Sequence, residues 1–427
     1  MTDFLITDAT TLDGDSVDVV ITDGVIERVG PSAAEGVDDR PDDRQYDARG
    51  RLVTPSLTEP HIHLDATLTA GEPRWNQGGT LAEGIEIWAD RKRSLTATDV
   101  KERASTAVEW LAANGVTRVR THADTTEETL TGVEALLDLR DDVADLVDLQ
   151  VVAFPQDGLF TAAHHEDLLA EALEMGVDVV GAIPHNEHTR EDGVDSVKTA
   201  VSLADRHDLP IDLHIDETDD PNSRFTEVLA AEALERDIGD RTTASHTTAM
   251  HSYPNAYADK LISLLAESGV SVITNPPDNA VLQGRYDDYP RRRGHTRIDQ
   301  LHEAGVTVGL GHDSVMDPWY HYGRGDPLDA AFVLLHYAHM SGRGDVETIW
   351  RMLTEANASV FGAEDYGLAE GCEGSIAVFD APSGFDALRT RAARTLVLRK
   401  GRPIARTDPA TTTVEREGAS SDVRFQL

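Results

Sequence analysis

Short apolar, β-branched runs alternate with amphipathic stretches through the middle of the chain. The runs are TPSLTEPHIH, TRVRTHAD, LQVVAFPQ, VVGAIPH, IDLHIDE, TTASHTTA, SVITNP and VTVGLGHDS. Each is short enough for a buried strand. Their ends fall near residues 63, 124, 156, 185, 217, 246, 275 and 313. Between them lie helical patterns such as TDVKERASTAVEWLAANG, with Gly115 placed to stop the helix. EDLLAEALEMG and RFTEVLAAEALER follow the same period. Strand–helix alternation repeated eight times predicts an α/β fold, a (β/α)8 TIM-like barrel. A doubly wound open sheet shares the alternation, because alternation alone does not require closure.

The two ends of the chain read differently. DVVITDGVIERVG places Asp23-Gly24 between alternating apolar runs, a hairpin pattern. SIAVFDA and TLVLRKGRPIAR repeat it, with Lys400-Gly401 at the turn. Both ends are expected to build one small β-sandwich domain from residues 1–55 and 368–427. The barrel then occupies 56–367.

Composition bounds the rest. The chain has 427 residues, 40% of them hydrophobic, enough for a large core. No apolar run reaches 18 residues, and the acidic start MTDFLITDATTLDGD lacks a secretory pattern. The single cysteine, Cys372, excludes a disulfide framework and a cysteine-rich zinc site. A cytoplasmic protein is expected. Asp and Glu number 77 against 38 Lys and Arg, a net charge of −39, and only five residues are lysine. Such a surface repels nucleic acid and anionic lipid, so no nucleic-acid or membrane partner is expected. It suits a salt-rich, halophilic cytoplasm, where screening makes the self-repulsion tolerable.

Candidate chemistry gathers at the run ends, which a barrel brings to one mouth. His61 and His63 share one strand face. That spacing alone also fits a structural pair, but His214 ends the fifth run and Asp313 the eighth. Three imidazoles and a carboxylate suit one divalent ion, Fe2+ or Zn2+. Glu217, three residues past His214, can carry a proton, and His246 can orient water. Asp216 is expected to face away from Glu217 and support the site. Gln156 offers a donor and an acceptor to an amide-like edge. Phe154, Leu81 and Trp319 are candidate walls of a flat apolar slot.

Several longer stretches carry a resemblance: EPHIHLDATLTAGEPRWNQGGTLAEGIEIWADRK, VRTHADTT, DLQVVAFPQDG, VDVVGAIPHNEHTRE, HIDETDD, ASHTTAMHSY, LQGRYDDYPRRRG, GHDSVMDPWY and GCEGSIAVFDAPSGFDALR. Over nearly its full length the chain resembles the bacterial-type cytosine deaminases of the metal-dependent amidohydrolase superfamily. The resemblance implies a barrel with a small β-sandwich, a single iron or zinc ion, and a homo-oligomer. It places the metal ligands at His61, His63, His214 and Asp313, the acid/base carboxyl at Glu217 and the water-orienting imidazole at His246. Gln156 matches the glutamine that reads the pyrimidine edge. The implied reaction converts cytosine, a small nucleobase, to uracil and ammonia through metal-activated water, in pyrimidine salvage.

Departures bear on the substrate. Where that family commonly has a second aspartate after the metal aspartate, this chain has Ser314, a position bordering the exocyclic amine and C5. Pro277 and Asp278 stand where apolar residues are usual. Neighbouring members accept isoguanine or creatinine, which leaves another amino-heterocycle as the alternative. A cyclic-amide hydrolase of the same superfamily commonly uses a carbamylated lysine on the fourth strand; VDVVGAIPH has none. The separate cytidine-type class needs H-x-E with P-C-x-x-C, which one cysteine excludes.

Overall fold

The computed structural model describes residues 4–37, 41–423 and 425. Residues 1–3, 38–40, 424, 426 and 427 of the expected terminal domain lie outside the described residues. Eight strands form one parallel sheet in chain order: Leu57–Ile62, Val116–Asp124, Asp148–Phe154, Val179–Val180, Ile211–Ile215, Thr242–His246, Ser271–Thr274 and Val308–Leu310. The first and last meet where Ile62 bridges Asp313 in parallel. There the Asp313 N–H donates to the His61 carbonyl at 2.9 Å, and the His63 N–H to the Asp313 carbonyl at 3.1 Å. The sheet is thus a nearly closed barrel, not an open doubly wound sheet.

The strands are buried on both faces, as a parallel barrel requires. Their Val, Ile and Leu side chains pack with helix residues such as Val108, Leu136, Val197 and Leu265 into one core. The helix Ala97–Ala113 starts where Thr96 accepts the Asp99 N–H at 3.2 Å. It ends at Gly115, whose φ of +86° is a left-handed conformation that favours glycine.

The chain ends meet in a single seven-stranded sheet, ordered Arg402–Arg406, Arg394–Arg399, Ile376–Phe379, Gln45–Pro55, Phe4–Thr10, Ser16–Thr22, Val25–Gly30. The long strand Gln45–Pro55 pairs with Phe4–Thr10 along its first part and with Ile376–Phe379 at its end. Phe4, Ile6, Val19, Ile21, Ile376, Val378, Leu396 and Leu398 share one core, so the expected sandwich takes the form of one sheet enclosing its own core. Asp23-Gly24 and Lys400-Gly401 both turn with two positive φ angles, the type I′ geometry that matches strand twist. From Pro55 the chain runs almost directly into the first barrel strand, so the terminal sheet is anchored at the barrel's start. No described helix is long and apolar enough to cross a membrane.

Candidate active site

The ends of the first, fifth, sixth and eighth strands bring polar side chains to one mouth. His61 ends the first strand and His63 follows it; His214 lies on the fifth, His246 ends the sixth, and Asp313 follows the eighth. Several of these residues take unusual backbone angles: Asp313 has φ +70°, His246 φ +72° and Asp216 φ +53°. Left-handed backbone at non-glycine positions is strained, and its clustering at strand ends marks a site held in place by its surroundings.

The cluster is compact. Nε2 of His214 lies 3.2 Å from Nε2 of His61 and 3.0 Å from Nε2 of His63. Oδ1 of Asp313 lies 3.4 Å and 3.3 Å from the same two nitrogens. The tautomer of His61 is fixed from behind. Ser245 donates its hydroxyl to Asp212 at 2.6 Å, so at 3.0 Å it accepts from Nδ1–H of His61. That leaves the His61 Nε2 lone pair facing the cluster. Asp212 is held in turn by Arg120 at 3.2 Å.

Electrostatics agree with a cation site. Burial, reinforced by His122, pushes His61 down to about 4. Burial, with His61 and His122, holds His214 well below its ordinary value. Burial also disfavours charge on His63, but the Asp313 carboxylate outweighs it and raises that group. Burial alone would raise Asp313; His246, His61 and His63 overcome it and hold the carboxylate well below its ordinary range. The neutral imidazoles of His61 and His214 and the ionised Asp313 present lone pairs to one point, and Asp313 draws the His63 ring to the same place. Separations of 3.0–3.4 Å fit ligand atoms about 2 Å from a shared centre. Without a cation, such lone pairs repel one another. The residues fit a divalent metal ion.

Proton-handling groups stand beside this quartet. His246 Nδ1 is 3.6 Å from Glu217 Oε1 and 3.8 Å from Asp313 Oδ2. Asn279 reaches both Glu217, at 3.3 Å, and His246, at 3.0 Å. Burial, then the neighbouring Asp313, raises Glu217 well above the usual carboxylate range. Burial pushes His246 down to about 3, so it stays neutral. Asp216 turns away, as its alternation predicts. It accepts from Ser223, Phe225, Thr226 and Tyr253 and tethers the start of helix Thr226–Arg236.

A pocket opens over the cluster, with about 470 Å³ of empty space including its mouth. His63, His214, Glu217, Asp278, Asp313 and Ser314 form its polar side, and Gln156, His185 and Asn186 its far edge. Leu81, Ile85, Ile183, Leu282 and Trp319 supply apolar walls. Leu81 and Ile85 come from the helix Leu81–Lys92, whose Thr80 cap accepts the Glu83 N–H at 3.2 Å. Trp319 lies against Gly84 of that helix, where a Cβ would meet the indole at 2.5 Å. Asp317 shapes the loop by accepting the N–H groups of Trp319 and Tyr320 at 2.9 and 3.0 Å.

One expected wall residue is displaced. Phe154 does not line the pocket; its ring stacks on His214 at 4.0 Å and 21°, so it backs a ligand instead. The end of its strand reaches only the layer beneath the imidazoles. Ile183 and Ile85 take the wall positions. His122 also joins the cluster, which its sequence context did not indicate. Its ring lies 4.1 Å from His61 and 4.6 Å from His214, and both its nitrogens are buried without a hydrogen-bond partner. Its only signal was a polar residue near the end of the second run. His185, pushed down to about 4 by burial, was likewise present in a run end and given no role.

The amidohydrolase family model matches residues 44–405. The chain belongs to the amidohydrolase family. A crystal structure of 5-methylcytosine deaminase from Klebsiella pneumoniae liganded with 5-fluorocytosine is 43% identical, with a TM-score of 0.91 over 95% of this chain and 98% of that one. N-isopropylammelide isopropyl amidohydrolase of Pseudomonas sp. (strain ADP) is 29% identical over 85% of this chain and 88% of the relative. Pterin deaminase of Rhizobium rhizogenes is 29% identical over 92% and 88%. This amidohydrolase is a hydrolytic aminohydrolase, and its His/Asp cluster is a site for a divalent metal ion.

Proposed function

We propose that this aminohydrolase deaminates cytosine-type bases, taking both cytosine and 5-methylcytosine, and releases ammonia and the matching 2,4-dioxopyrimidine. The observation that carries the reading is a small, uncharged Ser314 in the pocket next to Asp313. With C4 beside Asp313 and N3 beside Glu217, C5 falls toward residue 314, where a serine leaves room for a methyl group. The 43% identity to a 5-methylcytosine deaminase supports the same ring.

A divalent ion in this site, iron or zinc by its donor set, would supply Lewis acidity and would lower the pKa of water toward neutrality. The protein's own groups do the rest. His61, His63, His214 and Asp313 hold the ion. Leu81, Ile85 and Trp319 flank the ring and exclude solvent, and the Gln156 amide reads its carbonyl and N–H edge. Asp313 and the neutral His246 take the proton of the attacking water. As the water oxygen adds to C4, Glu217 delivers its proton to N3, and C4 becomes tetrahedral. Collapse breaks the C4–N bond as the leaving nitrogen takes up a proton, and ammonia departs.

Ammonia release from cytosine, 5-methylcytosine, isoguanine and creatinine at molar salt tests the assignment. Turnover of the two pyrimidines ahead of the other two is expected. Turnover of isoguanine or creatinine with none from either pyrimidine would overturn it.

A further inference from the structure

The mechanism above leaves one acid of the pocket unused. Asp278 lies in the first turn of the short helix Pro276–Leu282, which follows the seventh barrel strand. It is 2% exposed and lines the same pocket as Glu217, Asp313 and Ser314. One carboxyl oxygen from each of Glu217, Asp278 and Asp313 lies within 4.8 Å of the others. Asp278 therefore stands at the reacting end of the pocket and not at its Gln156 edge. Its Oδ1 is buried with no hydrogen-bond partner. A buried acceptor left unpaired costs about 1–3 kcal/mol, so it calls for a donor when the pocket fills. Ser314, the nearest alternative on the Asp313 loop, carries no carboxylate.

We infer that Asp278 is a specificity-determining residue whose Oδ1 accepts a hydrogen bond from the exocyclic amino group of the substrate. The inference rests on the proposed cytosine-type reading, which puts C4 beside Asp313 and the amine beyond it. Asn279, the next residue, holds Glu217 and His246. One helical turn thus positions the proton carriers and the amine reader together. The acceptor also separates substrate from product. An amino group donates to Oδ1; the carbonyl oxygen that replaces it brings lone pairs against it, which weakens product binding.

The test compares Asp278→Leu and Asp278→Asn in the metal-loaded full chain. KM is measured for cytosine and 5-methylcytosine, and the inhibition constant for uracil and thymine. Asp278→Leu is expected to raise KM about tenfold while product inhibition stays the same or tightens. Asp278→Asn, whose amide oxygen still accepts, is expected to recover most of that loss. Asp278→Ala, read in the same way, serves if the leucine variant does not fold. KM and product inhibition moving by one common factor would mean that Asp278 only shapes the pocket, and would overturn the inference. An unchanged KM would do the same. If the wild type releases no ammonia from either pyrimidine, the functional reading fails and the inference falls with it. Wild-type turnover without the split between KM and inhibition sinks the inference alone.

Discussion

The single hydroxyl of Ser245 ties the His/Asp cluster to the barrel wall. It donates to Asp212 and accepts from His61, so one serine sets which nitrogen of His61 faces the metal position. Glu217 is set as firmly by the opposite means. Burial and the Asp313 charge keep its proton on well above the ordinary carboxylate range. Glu217→Gln is expected to lower kcat on cytosine by about 10²–10⁴ with metal content unchanged. The raised value also fixes a sign. The protonated form persists below it, so wild-type kcat/KM is expected to fall as pH rises through it. A pH profile with no alkaline fall would remove Glu217 as the proton donor. The convergence of His61, His63, His214, Glu217 and Asp313 on one cluster was legible in the sequence because each sits at or just past a run end. His122 was not, because an imidazole in a strand looks the same whether it faces the cluster or the helices. Phe154 was read as a wall because the sequence shows only that an apolar ring ends a strand, not how deep it sits.

At the scale of elements, the pocket wall depends on a buried cation. Lys92 closes helix Leu81–Lys92, and its ammonium donates to Asp124 at 3.0 Å, Thr126 at 2.9 Å and Asp157 at 2.5 Å. These contacts pin the helix that carries Leu81 and Ile85 to the ends of the second and third strands. Burial lowers the Lys92 pKa, but Asp124 and Asp157 outweigh it and raise the group. The contribution to stability is thus fully present below the unfolded lysine value and is lost as pH rises through the folded one. Lys92→Met leaves Asp124 buried and unpaired. Thermal or denaturant melts at neutral pH are expected to show a loss of about 3–5 kcal/mol. KM is expected to rise more than kcat falls, since the wall loosens while the metal cluster stays. An unchanged melt would show that the pair contributes nothing to stability. Strand positions were largely readable. The fourth was the exception: its predicted end at 185 overshoots Val179–Val180, and a short turn, Pro184–Asn186, carries the chain on to the pocket.

Across the whole molecule, the barrel and the terminal sheet share buried ion pairs. Arg394 of the terminal sheet pairs with Asp326, whose carboxylate caps helix Pro327–Tyr337 of the barrel. Neither the pair nor the sheet order was visible in the sequence, because pairing between distant segments leaves no local pattern. The eightfold alternation was visible, since each strand must be apolar and each helix amphipathic whatever its neighbours. The net charge of −39 bears on solvent conditions and not on this chemistry. The proposed deamination needs a divalent ion held by His61, His63, His214 and Asp313. Metal analysis paired with ammonia release from 5-methylcytosine, in the wild type and in His214→Ala, tests it most directly. The account predicts about one divalent ion per wild-type chain, with metal and turnover both lost in the variant and turnover lost on chelation. Wild-type turnover from protein stripped of metal would contradict it.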